Sequence, residues 1–308
     1  MKVLVTGAGG FLGLATVRAL SQRGADVVGL VHRQDIVGDV RAAGGTPVVG
    51  DVLDLPTLEA ACQGCEGLVH LATSHGEGPG AAEHARRVRV DGARNAVRAA
   101  RARGVRRLVI GSGYWVYRSH PGVITEDAPV EPRGESRINF DTEQAGLGAN
   151  APGALEVVVV RPGMVYGDGS WFGSLCDALR DGTYRLIGEA TNRWSFVSRE
   201  DTGGAFAQVL ERGVPGEVYN VVDGHPAPWR EFAGYVAGCL QRPPPDSISF
   251  DQASLEVGPD VAYHLVANRA LSSSKIEALG WRPRYPAYPE GIEALLRAGA
   301  GHGSGPRA

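Results

Sequence analysis

Short runs of β-branched residues alternate with stretches of helical periodicity through the first half of the chain. The runs at residues 3–6, 26–31, 46–49, 67–71, 107–111 and 156–160 predict strands, and residues 11–23, 55–62 and 81–103 predict helices. This alternation is typical of βαβ units with parallel strands. Residues 157–160 are consecutive valines, so helices should cover both faces of the sheet. The pattern therefore predicts an α/β fold with a doubly wound parallel sheet.

The pattern becomes mixed after residue 165. Residues 217–221 predict one more strand, residues 242–245 read Arg-Pro-Pro-Pro, and the helical stretches are short. We expect residues 166–298 to form mostly a smaller C-terminal lobe that binds substrate, with some segments returning to the core of the domain at 1–165. Residues 299–308 are rich in glycine and lack apolar periodicity, which predicts a flexible tail.

The first predicted strand leads directly into a glycine-rich turn and a helix. Gly7, Gly10 and Gly13 lie in the segment Thr-Gly-Ala-Gly-Gly-Phe-Leu-Gly at 6–13. Bare backbone at such a turn lets a pyrophosphate approach the positive N-terminus of the helix. Glycines placed between a strand and a helix of a βαβ unit are the fingerprint of Rossmann dinucleotide binding. We therefore expect a dinucleotide-binding Rossmann domain at 1–165, with Phe11 and Leu12 also at the phosphates.

The end of the second predicted strand bears on which dinucleotide is bound. An acid there would bind a ribose 2′-hydroxyl, whereas a cation would bind a 2′-phosphate. His32 and Arg33 follow the strand, and no acid occurs before Asp35. These residues favour NADP(H), with NAD(H) as the alternative. The competing interpretation is that Arg33 is only a solvated charge on a loop.

Composition narrows the class of protein further. The chain of 308 residues has a formal net charge of −3, so we expect no nucleic-acid partner. It has no apolar run long enough for a membrane span and no secretory signal before the first strand, so we expect a cytoplasmic protein without a membrane partner. Cys62 and Cys65 form an isolated CxxC without a second pair of ligands, so we expect no metal. Only Lys2 and Lys275 among the 31 basic residues are lysines.

Further motifs, in order along nearly the whole chain, resemble those of the extended short-chain dehydrogenase/reductases, the group that contains nucleotide-sugar epimerases and dehydratases. They are Gly-Asp-Val-Leu-Asp at 50–54, His-Leu-Ala at 70–72, Val-Tyr at 116–117, Arg-Pro-Gly-Met-Val-Tyr-Gly at 161–167 and Leu-Gly-Trp-Arg-Pro at 279–283. The resemblance implies a homodimer. It also implies contacts of Asp51 and Val52 with the adenine, of Leu71, Ala72 and Thr73 along the cofactor, and of Pro162, Met164 and Val165 near the nicotinamide.

The same resemblance leaves the catalytic positions of the family unfilled. Family members use a serine that orients the substrate, a tyrosine that passes a proton and a lysine that lowers the pKa of the tyrosine. Here Gly113 takes the serine position, with Ser112 one residue before it, while Ser136 takes the tyrosine position and Phe140 the lysine position. No lysine or tyrosine lies between residues 118 and 165, so a shift of one residue does not restore the relay.

Another group must then supply the proton, or none does. Tyr117, Ser112 and His75 lie nearest to the expected site and are our candidate catalytic residues. Tyr117 carries a phenol, but a tyrosine at this place is also compatible with packing alone. His75 follows the cofactor turn and has a side chain that titrates near neutral pH, although a solvated loop explains it equally.

Candidate substrate contacts come from the same edge of the sheet and from the C-terminal lobe. Tyr114 and Trp115 replace the small residues usual after the family serine and favour a flat or apolar substrate, unless they only pack in the core. Arg193 is placed to hold an anionic group or lies on the surface. The arginines at 86–89 and 98–107 fall on predicted helix faces and indicate a solvated surface. The other candidate substrate-binding residues are Ser136, Phe140 and Tyr166.

Three functions are compatible with these residues. The first is an NADP(H)-dependent oxidoreductase that acts on a small organic molecule, such as a specialised metabolite, with a non-standard proton relay. The second is a non-redox cyclase, isomerase or dehydratase that keeps the fold and the bound nucleotide. The third is a catalytically inactive NADP sensor. A change in nicotinamide absorbance during turnover separates the first from the other two.

Overall fold

Seven parallel strands form the central sheet of the computed structural model, which describes residues 1–74 and 78–299. In chain order these strands are β1 (Lys2–Thr6), β2 (Asp26–Val31), β3 (Thr46–Val49), β4 (Gly67–His70), β5 (Arg107–Gly111), β6 (Glu156–Pro162) and β7 (Val218–Val221). Their order in space is β7-β6-β5-β4-β1-β2-β3. The sheet reverses direction of winding at β1, so the doubly wound α/β fold is confirmed.

Helices cover both faces of this sheet because its central strands are apolar on both sides. The valines of β6 at 157–160 are each 0% exposed, and separate apolar clusters lie against the two faces. The helices of the first half are α1 (Phe11–Gln22), α2 (Val37–Ala42), α3 (Leu55–Ala61), α4 (Ala81–Arg86), α5 (Gly92–Arg103) and α6 (Ser136–Leu147). A π-helical turn (Arg87–Asp91) joins α4 to α5, and a 3₁₀ turn (Tyr114–Val116) follows β5.

The second half builds a lobe beside the carboxyl ends of the strands. Its helices are α7 (Trp171–Arg180), α8 (Arg199–Arg212), α9 (Trp229–Cys239), α10 (Phe250–Val257), α11 (Pro259–Val266), α12 (Ser274–Glu277) and α13 (Tyr288–Gly299). Four short strand pairs complete it: Met164–Tyr166 with Phe196–Ser198, Arg193–Trp194 with Ala227–Pro228, Leu186–Ile187 with Ser247–Ile248, and Val123–Ile124 with Ala270–Leu271.

Aromatic stacking fills the core of this lobe. The rings of Phe196 and Phe232 lie 4.1 Å apart at an interplanar angle of 7°, and Trp229 stacks on Phe232. Two elements of the second half join the first domain, because β7 pairs with β6 and α8 packs against α1. The proposed domain limits at 165 and 298 stay a prediction, and Ala300 to Ala308 lie outside the described residues. None of the described helices has the length and apolarity that a membrane span requires.

Candidate functional site

The glycine turn after β1 is shaped by close packing of backbone on backbone. Gly7 has a φ of +66°, and a Cβ there would lie 2.7 Å from the carbonyl oxygen of Leu71. A Cβ on Gly13 would lie 2.0 Å from the carbonyl oxygen of Gly7. The Gly10 N–H donates to that same oxygen at 2.9 Å. Only glycine fits at Gly7 and Gly13, so α1 packs directly against the end of the strand.

The N-terminus of α1 is open to an anion. Gly10 precedes the helix and provides no side-chain cap, and no acidic residue occurs in the first turn. Uncapped N–H groups and the helix dipole together attract phosphate. Phe11 and Leu12, the first residues of the helix, are half-buried. The turn therefore fits a dinucleotide pyrophosphate, as its sequence predicted.

Arg199 lies beside this turn, although no sequence motif marks it as a site residue. Its Nε donates to the carbonyl oxygen of Phe11 at 2.7 Å, and its guanidinium carbon lies 5.1 Å from the centre of the Phe11 ring. Burial lowers the pKa of Arg199, whose guanidinium nevertheless remains a cation. Arg199 thus places a positive charge next to the N-terminus of α1.

The residues predicted to hold the adenosine end follow β2 and β3. His32 and Arg33 are exposed, and Arg33 pairs with Asp35 through Nε and Oδ1 at 3.0 Å. Asp51 is also exposed, and its Oδ1 accepts from the Leu53 N–H at 2.9 Å. Val52 is buried behind it, where its carbonyl oxygen accepts from the Asn95 side chain. The structure therefore places these residues at the same edge of the sheet as the glycine turn.

The turn after β4 runs beside the glycine turn. Leu71 N–H donates to the carbonyl oxygen of Thr6 at 3.2 Å, and Ala72 lies against Gly7. Thr73 follows, and its Oγ1 accepts from Arg89 at 2.8 Å. His75, a candidate catalytic residue, lies outside the described residues. The stretch 71–73 thus runs beside the glycine turn, along a crevice at the carboxyl ends of β1 and β4, and its contact with a cofactor stays a prediction.

Ser112, another candidate catalytic residue, belongs to a buried ionic cluster after β5. Its hydroxyl donates to Oε1 of Glu143 at 2.5 Å. Glu143 also accepts two hydrogen bonds from Arg161, at 2.8 and 2.6 Å. Because its proton is committed to a carboxylate, Ser112 offers lone pairs to a ligand and is better suited to accept a hydrogen bond than to donate one.

Tyr117 is 0% exposed in the structure. Its hydroxyl donates to Oδ1 of Asn220 at 2.8 Å, and the Arg161 guanidinium lies 4.8 Å from the centre of its ring. Burial raises the pKa of Tyr117 to about 12. The phenol therefore presents no surface to a ligand here, and its catalytic role stays a prediction.

Arg89 and Asn139, which the sequence analysis missed, contact each other at the carboxyl ends of β4 and β5. Arg89 Nη1 donates to Oδ1 of Asn139 at 2.6 Å, and a Cβ on Gly113 would lie 3.2 Å from Nδ2 of Asn139. Asn139 thus contacts both Arg89 and Gly113 from α6. The view of the arginines at 86–89 as solvated is wrong for Arg89, which is half-buried. Helical spacing in the sequence could have shown this burial. Gly92, Ala93 and Ala96 form a buried face of α5, and Arg89 precedes them on the same face.

Some predicted substrate contacts come together in one partly exposed apolar cluster. Buried Tyr114 packs there with Trp115, Phe140 and Met164, and its hydroxyl points at the Met164 sulfur at 3.5 Å. Trp115 also stacks on His264, with ring centres 4.7 Å apart. We name this set the aromatic wall: Tyr114, Trp115, Phe140 and Met164. It begins directly after Gly113, beside Asn139.

Other predicted contacts lie elsewhere. The Ser136 hydroxyl bonds to the backbone of Arg133, and its side chain is buried at the start of α6. Tyr166 is buried in the aromatic core of the C-terminal lobe, where its hydroxyl has no hydrogen-bond partner within the described residues. Exposed Arg193 donates to the carbonyl oxygen of Pro226. The structure does not bring these three to the aromatic wall, and their role in binding substrate stays a prediction.

The remaining predicted cofactor contacts follow β6. Pro162 ends that strand, and Met164 and Val165 come after it. Val165 accepts a hydrogen bond at its carbonyl oxygen from the Trp171 indole at 2.6 Å. A Cβ on Gly163 would lie 2.5 Å from the carbonyl oxygen of Ser195, so the segment packs tightly on the lobe. Through Met164, it reaches the aromatic wall.

Comparisons with known proteins agree with this geometry. The model of the NAD dependent epimerase/dehydratase family matches residues 3–222. A 3-diazoavenalumate denitrifying reductase from a Streptomyces species is 29% identical over 95% of this chain and 99% of its own length. A 4-hydroxy-2-methyl-3-oxo-4-farnesyl-3,4-dihydroquinoline-1-oxide ketoreductase from Stigmatella aurantiaca is 31% identical over 75% of this chain and 71% of its own length.

A solved structure shows the same fold across the whole chain. The dTDP-glucose 4,6-dehydratase DesIV from Streptomyces venezuelae, with NAD bound, superposes with a TM-score of 0.83. The two sequences are 24% identical, and the match covers 98% of each chain. The resemblance inferred from the sequence motifs is therefore confirmed for both family and fold.

Proposed function

Because the chain belongs to the NAD dependent epimerase/dehydratase family, we propose that it is an NADP(H)-dependent reductase of a small, flat organic molecule. Family membership and the reductases among its relatives support a nicotinamide-dependent enzyme. The observation that carries the proposal is the turn at Gly7–Gly13, where an uncapped helix N-terminus meets backbone that excludes any side chain. When bound, the dinucleotide supplies hydride.

The preference for the 2′-phosphorylated cofactor rests on Arg33. Its ion pair with Asp35 is exposed on both sides, at 55% and 62% of the side-chain surface. Such a pair contributes little stability in water, so exchanging it for a phosphate costs little. A guanidinium binds phosphate through two parallel hydrogen bonds, and His32 adds a further polar group at the same loop. These features support NADP(H) over NAD(H).

The aromatic wall supports a flat substrate. Trp115 and Phe140 are half-buried, so each keeps a surface that a ligand would cover. Aromatic side chains bury large apolar areas and stack on planar groups at offset geometry. The Trp115 ring is held in place by His264 on one face. A planar ring or conjugated chain is the molecular shape that such a surface binds best.

The missing tyrosine and lysine limit what this chain's own residues do during reduction. Ser112 orients a donor group of the substrate through its lone pairs, while Glu143 and Arg161 hold it in place. The proton that accompanies hydride comes from solvent or from the candidate residue His75, because the Tyr117 hydroxyl is buried and donates to Asn220. This division leaves binding, orientation and charge stabilisation as the main work of the protein.

A cofactor-oxidation assay tests the proposal. Purified protein is incubated with NADPH and a panel of aromatic aldehydes, aryl ketones and enones, and nicotinamide absorbance and product are measured together. We expect oxidation of NADPH that depends on the carbonyl compound, with one product molecule per cofactor consumed. Product without cofactor oxidation would instead favour a non-redox isomerase, cyclase or dehydratase. Tight NADPH binding without any product would favour a sensor.

A further inference from the structure

Arg89 is a cation whose hydrogen-bond partners are both neutral. Its Nε donates to Oγ1 of Thr73 at 2.8 Å, and its Nη1 donates to Oδ1 of Asn139 at 2.6 Å. Within residues 1–74 and 78–299, it forms no ion pair and Nη2 donates to no group. No carboxylate of the described residues therefore contacts this half-buried charge, and Glu135 acts on it only from beyond ion-pair distance. Two hydrogen bonds fix the plane of the guanidinium.

The position of Arg89 is that of a ligand-binding group. Thr73 follows β4, and Asn139 lies against Gly113, which follows β5. The guanidinium thus spans the carboxyl ends of two neighbouring parallel strands. Ligands of open α/β sheets bind along this edge. On one side of Arg89 runs the turn that contacts Gly7, and on the other begins the aromatic wall.

Buried His70 contacts the backbone of Arg89 and holds it in place. His70 Nε2 lies 3.4 Å from the carbonyl oxygen of Arg89, and its Nδ1 lies 2.9 Å from Oγ1 of Thr6. The π-helical turn that carries Arg89 is a geometry often found at functional sites. A Cβ on Gly92 would lie 3.2 Å from the His70 ring, so this turn packs closely on β4. The guanidinium is therefore preorganised rather than free on a flexible stem.

We propose that Arg89 binds the substrate directly, by donating from Nη2 to a substrate oxygen that carries or gains negative charge. This inference rests on the proposed function, and it specifies a planar molecule with a carboxylate, enolate or carbonyl oxygen at one end. A guanidinium stays protonated at any physiological pH, so Arg89 stabilises charge and does not pass a proton. It supplies a fixed positive charge in a crevice from which the lysine of the family is missing.

Binding of a matched pair of planar probes tests this role without turnover. The protein is saturated with NADP⁺ and titrated calorimetrically with trans-cinnamate and with cinnamyl alcohol, which differ at the carboxylate. We expect the wild type to bind cinnamate at least about tenfold more tightly. Arg89→Gln should abolish that preference, whereas Arg87→Gln, an exposed position on the same turn, should keep it.

A second variant covers a failure of Arg89→Gln to fold. Asn139→Asp keeps the size and the hydrogen bond of the amide but places a carboxylate against Arg89. It should lower the preference for cinnamate to the same extent, with an unchanged melting temperature as the check on folding. A wild-type protein without preference for the carboxylate would overturn the proposal. So would a preference that survives in Arg89→Gln or in Asn139→Asp.

Two further outcomes separate this inference from its premise. If Arg89→Gln weakens NADP⁺ binding alone by as much as it weakens cinnamate binding, Arg89 is a ligand of the cofactor and the inference is wrong. If the wild type prefers cinnamate but reduces no carbonyl compound with NADPH, the proposed reductase function fails while Arg89 still binds the anionic oxygen. The titration and the assay therefore fail independently.

Discussion

Glu143 on α6 and Arg161 on β6 form a bidentate ion pair inside the protein. The two hydrogen bonds measure 2.8 and 2.6 Å, and the side chains are 0% and 6% exposed. Ser112 donates a third hydrogen bond to the same carboxylate. The pair joins a helix to the central sheet directly behind the crevice. Because both charges are removed from water, each depends on the other for its compensation.

Replacing Glu143 should therefore be costly. We expect Glu143→Gln to lower the free energy of unfolding by about 3–5 kcal/mol, because the Arg161 charge stays buried without an anion. Urea unfolding measures the loss. The control is Asp177→Asn, which removes the exposed ion pair with Arg180 and should cost less than about 1 kcal/mol. Similar losses in both variants would mean that burial of the Glu143 pair does not govern its contribution.

Sequence patterns located the sheet well because its strands are dense apolar runs. Asp26–Val31, Thr46–Val49 and Arg107–Gly111 form strands at the predicted residues, whereas β6 extends two residues further, to Pro162. That extension depends on pairing with β7, a strand far away in sequence. Local periodicity carries no information about such a partner.

The candidate site was harder to predict than the sheet. The glycine turn follows from local backbone geometry, so its sequence suffices. The contact between Arg89 and Asn139 depends on which faces of two separate helical segments pack together, and neither residue belongs to a recognisable motif. Alignment to the family motif places Phe140 at the lysine position. In the structure, the neighbouring residue Asn139 is the one whose side chain contacts Arg89. Contacts between elements decide such a site, and they follow from tertiary packing.

Tyr117→Phe tests whether the phenol takes part in the reaction. In the structure its hydroxyl donates to Asn220, whose Nδ2 is buried and has no hydrogen-bond partner among the residues that the structure describes. We expect the variant to lose about 1–2 kcal/mol of unfolding free energy, because Asn220 Oδ1 would also lose its partner, while the turnover number changes less than about threefold. Tyr219→Phe is the matched control, since that buried hydroxyl also holds one hydrogen bond, from the Val214 N–H at 2.9 Å.

The opposite result would show that Tyr117 is a catalytic residue, as the sequence suggested. That result is a turnover number at least about tenfold lower in Tyr117→Phe with unchanged stability, and with Tyr219→Phe turning over normally. The product of each variant should be measured together with cofactor oxidation, so that uncoupled oxidation is not mistaken for turnover.

Arg33→Ala tests the choice of cofactor. Removing the guanidinium should weaken NADP⁺ binding about tenfold or more and leave NAD⁺ binding nearly unchanged, because only NADP⁺ carries the 2′-phosphate. Asp35→Asn should act in the opposite direction and strengthen NADP⁺ binding, since it frees Arg33 from its ion pair. Calorimetric titration measures both, with exposed Arg41→Ala as the control. If Arg33→Ala keeps the wild-type preference for NADP⁺ over NAD⁺, the assignment of NADP(H) as the cofactor is wrong.

His70 should make the stability of the protein depend on pH. Burial lowers its pKa from 6.5 to about 4, so the unfolded chain takes up a proton more readily than the folded protein. The stabilisation from a neutral His70 is complete above pH 6.5 and is lost as the pH falls towards 4. Between pH 7 and pH 5, the unfolding free energy of the wild type should fall by about 2 kcal/mol relative to His70→Gln.

Urea unfolding of wild type and His70→Gln at several pH values measures this difference. All other titratable groups are common to both proteins, so their contributions cancel when the two curves are subtracted. His84→Gln, at an exposed position of α4, is the control and should run parallel to the wild type. A wild-type curve parallel to that of His70→Gln would show that folding does not lower the pKa of His70 and that the core does not hold the imidazole neutral.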